Sequence, residues 1–318
     1  FLDLFDGVSP FQQTVLRLSK LTGAARLVVV AGAPHEAIIQ RQLAEVGAEG
    51  WLILEPEPRD SAAAIAAAAA AVAAVDPEGV LAIVSADNHV PDEAAAVAAI
   101  EAASRAAASG QIVTLGLKPR TPSDAYGYIL PGAGDGEAKP VAAFVEKPDV
   151  ETARRYTAEG YLWNSGNFMA PAQLLVSELE THAPATLAAA RAALPARLDA
   201  GQTVALSPAF RDAPKISIDY AVMEKTAHAA VLAVDFEAID VGSWKTVWEA
   251  SPKDACGNVL GPGATGLNVN NVYVRSTDHN RVVVVGVENV AIVVHGDQIL
   301  VCGLESSQLV KQVAAGVQ

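Results

Sequence analysis

Residues 81–117 read LAIVSADNHVPDEAAAVAAIEAASRAAASGQIVTLGL. An apolar run (81–87) ends in acid and amide, Pro91 breaks the chain, an alanine-rich segment occupies 93–108, and IVTLGL (112–117) closes the stretch. This predicts strand, helix, strand, the unit of a mostly parallel sheet wrapped by helices. The pattern continues upstream. Residues 11–21 have helical spacing, and RLVVVAG (26–32) is a continuous β-branched run, as expected of a strand covered on both faces. Residues 36–47 predict a helix, LILE (52–55) a strand, and 61–75 an alanine helix able to lie close on a sheet. The expected fold class is α/β, a Rossmann-like mostly parallel sheet with helices on both faces. Ligands in such sheets bind outside the carboxyl ends of the strands. Asp87 falls at such an end, although Asp-Asn also begins ordinary turns.

Residues 120–250 are less regular. YGYIL, VAAFVEK, GNFMA and AVLAVDF predict short strands, and 171–200 a long helical stretch, together an inserted substrate lobe. After Gly257 the character changes. GNVLGPGATG (257–266) reads as a linker. NVYVRS (271–276), RVVVVGV (281–287), VAIVVHG (290–296) and QILVCG (298–303) then predict short, evenly spaced strands, a few coils of a β-helix, before a last helix over 306–315. The expected domains are 1–256 and 257–318. GPGATG (261–266) matches G-x-G-x-x-G in form only: it comes after no strand, opens no helix, and Pro262 removes an amide that a phosphate cradle would use.

Hydrophobic residues make up 51% of the 318 and charged residues 18%, a folded composition. A net charge of −14, from 22 basic and 36 acidic residues, argues against a nucleic-acid groove. It leaves room for a local basic pocket. Cys256 and Cys302 form no CxxC and are expected as reduced thiols in a cytoplasmic protein. No signal segment is evident, and the longest apolar run, 62–75, is too short to span a bilayer. His35, His89, His182, His228, His279 and His295 show no metal-ligand spacing.

Seven stretches occur in one order: LEPEPRDSAAAIA (54–66), VSADNHVPD (84–92), YGYI (126–129), FVEKPD (144–149), YLWNSGNF (161–168), SIDYAVMEKT (217–226) and DVGSWKTVWE (240–249). Together they resemble the mannose-1-phosphate guanylyltransferases, the GDP-mannose pyrophosphorylases of the bacterial short type. WNSG, SIDYAVME and DVGSW are the specific part; VEKP and YGYI are shared across the wider sugar-nucleotidyltransferase superfamily. The resemblance implies that mannose 1-phosphate and GTP give GDP-mannose and pyrophosphate with Mg²⁺. It also implies a nucleotide-binding α/β domain and a C-terminal left-handed β-helix. A second copy of the chain is a further candidate partner; nucleic acid and membrane are not.

Such a reaction needs two anions held in line and their charge neutralised, and the attacking phosphate needs no strong base. The resemblance places metal-binding acids at Asp87 and Asp240, and Mg²⁺ commonly takes one or two carboxylates. Lys147 suits a grip on the sugar phosphate. Glu146 can accept from sugar hydroxyls, and Asn164 can accept and donate. Gly127 would let a backbone amide approach the ligand. Tyr126 and Tyr128 suit packing as well as binding, and Asp219 is expected to face the sugar or the metal. Guanine offers two adjacent donors that one carboxylate can accept. Glu55 is placed for this, with Arg59 reaching phosphate or guanine O6.

The chain departs from the family pattern in three places. The usual Asp-His is Asp87-Asn88, with His89 one place late and expected to be structural. The usual Arg-Asn-Thr-Ala is Arg59-Asp60-Ser61-Ala62. The Gly-rich G-G-x-G-T-R and Pro-Lys signature, which wraps the triphosphate, has no counterpart, and FLDLF (1–5) resembles the residues that come directly after that signature in the family. Other expectations are therefore a nucleotidyltransferase for another hexose 1-phosphate or base, or an inactive sugar-nucleotide sensor. The leading expectation is a single-activity enzyme whose native polypeptide carries an upstream strand, Gly-rich loop and Pro-Lys step. Intact-mass measurement of the native protein is expected to exceed 32.8 kDa, with N-terminal peptides of the G-x-G-T-R type. A mass of 32.8 kDa would favour the sensor.

Overall fold

Pro10, acceptable in a first helical turn because its missing N–H has no partner there, opens the first helix. The computed structural model describes residues 1–5, 7–22, 26–199, 201–277 and 280–316. In chain order its main elements are α1 (Pro10–Thr22), β1 (Leu27–Gly32), α2 (Glu36–Glu45), β2 (Gly50–Glu55), α3 (Asp60–Val75), β3 (Val80–Ile83), β4 (Asn88–His89), α4 (Glu93–Ala107), β5 (Ile112–Leu117), β6 (Tyr128–Pro131), β7 (Ala138–Val145), α5 (Val150–Ala158), β8 (Leu162–Pro171), α6 (Ala172–His182), α7 (Pro184–Ala193), β9 (Thr203–Ala205), β10 (Ala229–Val234) and β11 (Ile239–Asp240). Then come α8 (Trp244–Ala250), β12 (Val259–Leu260), β13 (Ala264–Leu267), β14 (Asn270–Ser276), β15 (Val282–Val285), β16 (Glu288–His295), β17 (Gln298–Gly303) and α9 (Val310–Gly316). Two compact units result. The first takes Phe1, Phe11–Ala86 and Val90–Ala238; the second takes Leu2–Pro10, Asp87–His89 and Ile239–Gln318.

In the first unit β1, β2 and β9 form a wholly parallel sheet. A six-stranded sheet runs β3-β8-β5-β10-β7-β6; β5 and β10 are parallel, and β7 and β8 run against the other strands. One apolar cluster lies under both sheets on one face, joining Trp51, Ile53, Ile112, Phe168 and Ala170 to α3, α6 and α7. On the opposite face α1 gives Phe11 and Val15 to the cluster over β1 and β2, and Leu18 and Leu21 to the cluster over β5, β8 and β10. Helices thus cover both faces. The expected helix over 171–200 is two helices, because Pro184 starts α7 with no N–H to continue α6.

The second unit stacks β12, β14 and β16 in parallel, with β17 antiparallel at the edge, and pairs β13 with β15 in parallel. Val272, Val274 and Val284 fill the space between these sheets. Tyr273, Ala291 and Val293 face the other way, onto Phe5, Val247 and Leu304. GNVLGPGATG is not a linker: it supplies β12 and most of β13. Gly266 sits where a Cβ would collide with Val269, so a glycine-rich stretch is what lets the strand lie close. His279 lies outside the described residues.

The alanines of α3 are a packing requirement. Ala62, Ala63, Ala66, Ala67, Ala69 and Ala71 are fully buried between the sheet and α6 and α7. Ala66→Leu is expected to destabilise the protein by about 1–3 kcal/mol in urea unfolding through overpacking, while Ala74→Leu, at an exposed position, stays within about 0.5 kcal/mol.

Candidate active site

The β5–β8 ladder is broken by a bulge. Thr114 pairs with Phe168 and Gly116 with Asn164, so β8 spends three residues where β5 spends one. Gly166 adopts φ +71 within it, a conformation that favours glycine. At the near end Asn164 is held on two sides. Thr114 Oγ1 donates to Asn164 Oδ1 at 2.9 Å, and the Gly166 N–H donates to the same oxygen at 3.2 Å. Asn164 Nδ2 donates to Asp219 Oδ1 at 2.8 Å. Asp219 opens a single wide turn in which the Glu224 N–H returns to its carbonyl at 3.0 Å, an i→i+5 bond of the kind common at functional sites.

Glu146 joins this cluster. Its side chain is 7% exposed and pairs with Lys147 Nζ at 3.0 Å, while the lysine side chain is 59% exposed and open to an incoming anion. The hydrogen bond that Lys147 donates to Glu146 raises the lysine pKa, so the lysine is charged at any physiological pH. Lys147 has φ +47, a strained backbone for a non-glycine residue. Burial first, and the charge of Glu146 second, push the Asp219 carboxyl up to about 6. Gly127 is needed because a Cβ there would overlap the Glu146 carboxylate, and its carbonyl accepts from the Asn164 N–H at 2.8 Å. Tyr126 stacks on Trp163 with ring centroids 4.6 Å apart. Tyr128 is fully buried, its hydroxyl tied to the Ser123 backbone.

Glu55 ends β2, and burial pushes its carboxyl up to about 7. Its Oε1 is buried with no hydrogen-bond partner among the described residues, as is Arg59 Nε further along the chain. The other end of Arg59 pairs with Glu57 at 2.5 Å, and Arg211 reaches the same glutamate at 3.4 Å. Asp60, at the position usually held by asparagine, has φ +66 and caps its neighbour's N–H at 2.8 Å. Asparagine and aspartate both tolerate this conformation, which accounts for the exchange in backbone terms. Ser61 Oγ accepts from the Ile218 N–H at 2.9 Å, tying the start of α3 to the segment that leads into Asp219.

Asp87 and Asp240 belong to the second unit. The strand predicted over 81–87 ends at Ile83; Asp87 sits in an exposed bend, and Asn88 and His89 start a new ladder on Ile239–Asp240. The polar run from Ser85 onward has no apolar face to keep it in the main sheet. Asn88 lies directly opposite Asp240, and His89 stacks on Phe5 at 4.1 Å. Asp240 Oδ1 accepts from the Gly242 N–H at 2.8 Å. Both acids are exposed, and among the described residues neither forms an ion pair. No group of three or more His, Cys, Asp or Glu among the described residues is arranged to hold a metal. Carboxylates are hard oxygen donors, the ligand class that a divalent cation such as Mg²⁺ takes.

Sequence reasoning missed Thr114, Asn167, Ser61 and Glu57. Thr114 was hidden inside an apolar strand where a β-branched residue needs no explanation. Cys256 and Cys302 are free thiols. No helix among the described residues is long and apolar enough to cross a membrane.

A helix-wrapped sheet whose loops gather acceptors, an amide and a half-exposed lysine has the makings of a protein that handles phosphorylated small molecules. Residues 4–256 match the Nucleotidyl transferase family, and the chain belongs to it. A mannose-1-phosphate guanylyltransferase of Escherichia coli is 40% identical over 319 aligned positions, covering 98% of this chain and 67% of that protein. One of Sinorhizobium fredii is 37% identical, covering 99% and 63%. The chain thus spans about two thirds of the length of these relatives. A crystal structure from Thermus thermophilus, described as a mannose-1-phosphate geranyltransferase, superposes with a TM-score of 0.85 at 30% identity, covering 98% of this chain and 90% of that one.

The unpartnered Glu55 has a measurable consequence. Its folded pKa of about 7 exceeds the unfolded value near 4.5, so between those pH values the unfolded chain has lost a proton that the folded chain keeps. Stability from this group is therefore full below about 4.5 and falls as pH rises through about 7. Glu55→Gln is expected to melt higher than wild type at pH 8 and to converge with it near pH 4.5 in a pH series of thermal scans.

Proposed function

We propose that this chain transfers GMP from GTP to mannose 1-phosphate, releasing pyrophosphate and forming GDP-mannose. The observation that carries the choice of base is the buried Glu55 Oε1, without a partner among the described residues, as is Arg59 Nε. Native structures rarely leave such atoms unsatisfied, and a ligand presenting adjacent donors satisfies a carboxylate there. In this reading an oxygen of the sugar phosphate attacks the α-phosphorus, the bond to the β-phosphate oxygen breaks, and the electron pair leaves with pyrophosphate. Total charge is the same on both sides, so no proton need be moved.

Lys147 grips the sugar phosphate. Glu146 and Asp219 accept from sugar hydroxyls, and Asn164 donates its second amide hydrogen. Arg59 meets phosphate or guanine O6. Asp87 and Asp240 would hold Mg²⁺, which when bound neutralises phosphate charge. Gly127 serves by making room for Glu146. With GTP and a free sugar phosphate as substrates, we place the reaction in the cytoplasm.

We assign the transferase to residues 1–256 and read residues 257–318 as a left-handed β-helix. Its support is the parallel stacking of β12, β14 and β16 against the β13–β15 pair. We also propose that one further strand, bearing a Gly-rich phosphate loop, joins the two sheets of the first unit. Among the described residues β1 and β3 each have one neighbour only, yet Val28, Val30, Leu81 and Ile83 pack on the same cluster under α3.

Pyrophosphate release from mannose 1-phosphate and GTP with Mg²⁺ tests the reading directly. UTP and dTTP are expected to be poor substrates. Asp87→Asn and Asp240→Asn should fold and each lose on the order of 10²-fold or more in turnover, as other deletions of charge-stabilising groups do. Near-wild-type turnover would remove them from the metal site. Glu55→Gln presents a donor to a donor, and the GTP-over-ATP ratio of kcat/KM is expected to fall by roughly 10- to 100-fold. An unchanged ratio would make Glu55 a strand-end acid only.

A further inference from the structure

We infer that Thr114 is a positioning residue: its hydroxyl holds the side chain of Asn164 in one rotamer across the bulge of β8, while the Gly166 N–H and the Asp219 carboxylate set which way the amide faces. The consequence for sugar binding rests on the reading of Asn164 as a substrate contact.

Thr114 is fully buried in β5, among Val113, Leu115 and Leu117, and is the only polar side chain of that strand. By strand alternation Thr114 shares a face with Ile112 and Gly116, and there it meets the three-residue bulge of β8. Its Oγ1 lies 2.9 Å from Asn164 Oδ1 and 3.1 Å from the Asn167 carbonyl, so one hydroxyl spans both ends of the bulge. A single O–H donates to one acceptor at a time or is shared between the two, and either way both lie within its reach.

The chemistry at each end is directional. Asn164 Oδ1 faces two donors, the Thr114 hydroxyl and the Gly166 N–H, while Asn164 Nδ2 faces the Asp219 carboxylate. Turning the amide over would set an NH₂ against the Gly166 N–H and a carbonyl against a carboxylate. The orientation is therefore determined, and it leaves the second N–H of Nδ2 to donate to a ligand. At the far end, Asn167 Oδ1 accepts from the Ser85 N–H at 3.1 Å. Because the one hydroxyl serves both ends of the bulge, removing it loosens both.

The test compares wild type with Thr114→Val, which keeps the shape and drops the hydroxyl, and Thr114→Ser, which keeps the hydroxyl. The first readout is independent of turnover: the ¹H–¹⁵N side-chain amide signal of Asn164, assigned by its loss in Asn164→Asp. It is expected sharp and slowly exchanging in wild type and Thr114→Ser, and broadened or fast-exchanging in Thr114→Val. The second is kinetic. Thr114→Val is expected to raise KM for mannose 1-phosphate by roughly 10-fold or more with KM for GTP within about twofold, and Thr114→Ser to restore it. If Thr114→Val does not fold, Thr114→Ala read against Thr114→Ser isolates the same hydroxyl. An unchanged amide signal, or KM values for both substrates rising together, overturns the proposal. If the amide responds as expected while wild type makes no GDP-mannose, the positioning role stands and the reading of the sugar site falls.

Discussion

The first unit depends on one close packing. Helix α3 lies between the sheet and a second helix layer, and only a face of alanines allows that separation. Its depth has consequences at its N-terminus. Ser61 in the first turn binds the backbone at Ile218, and the Ala62 N–H reaches the Ile216 carbonyl at 3.2 Å. These two bonds fix the segment from which Asp219 projects. The loop that leads from Glu55 into α3 and the Asn164–Asp219 cluster are thus set by the same helix, and an error in its seating would displace both.

That tight core carries a load of unfavourable electrostatics. Glu55 is buried without a partner, and Asp219 is buried beside the nearly inaccessible Glu146. Each would be more stable protonated or in water. Clusters of Val, Leu, Ile and Ala on both sheet faces supply the stability that tolerates them. Glu55 Oε1, buried with no partner among the described residues, is a cost that this packing carries.

How far the sequence discloses this varies with the signal. IVTLGL and QILVCG are strands to the residue, because continuous or alternating apolar runs bounded by glycine leave little choice. The helix expected over 93–108 forms over Glu93–Ala107, and its start is fixed by Asp92, whose carboxylate accepts from the Ala95 N–H at 2.9 Å. The run 81–87 was misleading: Val84 and Ala86 extend an apolar pattern after the ladder to β8 has ended at Ile83. Glycine in GNVLGPGATG was read for its flexibility, when its use is the absence of a side chain. The charged residues of the candidate site were named from chemistry and family pattern. Thr114 was not, since its hydroxyl has meaning only once the bulge brings Asn164 and Asn167 to it.

The charges at the candidate site also bear on how a chain of net charge −14 would bind the two polyanions of the proposed reaction. The cations placed there each have an acid beside them. Lys147 lies on Glu146, and Arg59 and Arg211 share Glu57. An arriving phosphate therefore does not meet a free positive field; it must compete for a cation that already has a carboxylate partner. This lowers the gain from charge alone and raises the share contributed by geometry, because only an anion that also satisfies the neighbouring acceptors and donors recovers what the broken pair loses. Glu146 makes the point most clearly. Were Lys147 to turn to a phosphate, as proposed, the Glu146 carboxylate would be left nearly inaccessible beside Asp219 and would need a new donor, the part the proposal gives to a sugar hydroxyl of the same ligand. Phosphate without the sugar would leave Glu146 unsatisfied. Under the proposed roles of Lys147 and Glu146, selection for a sugar phosphate over inorganic phosphate would follow from the ion pair itself.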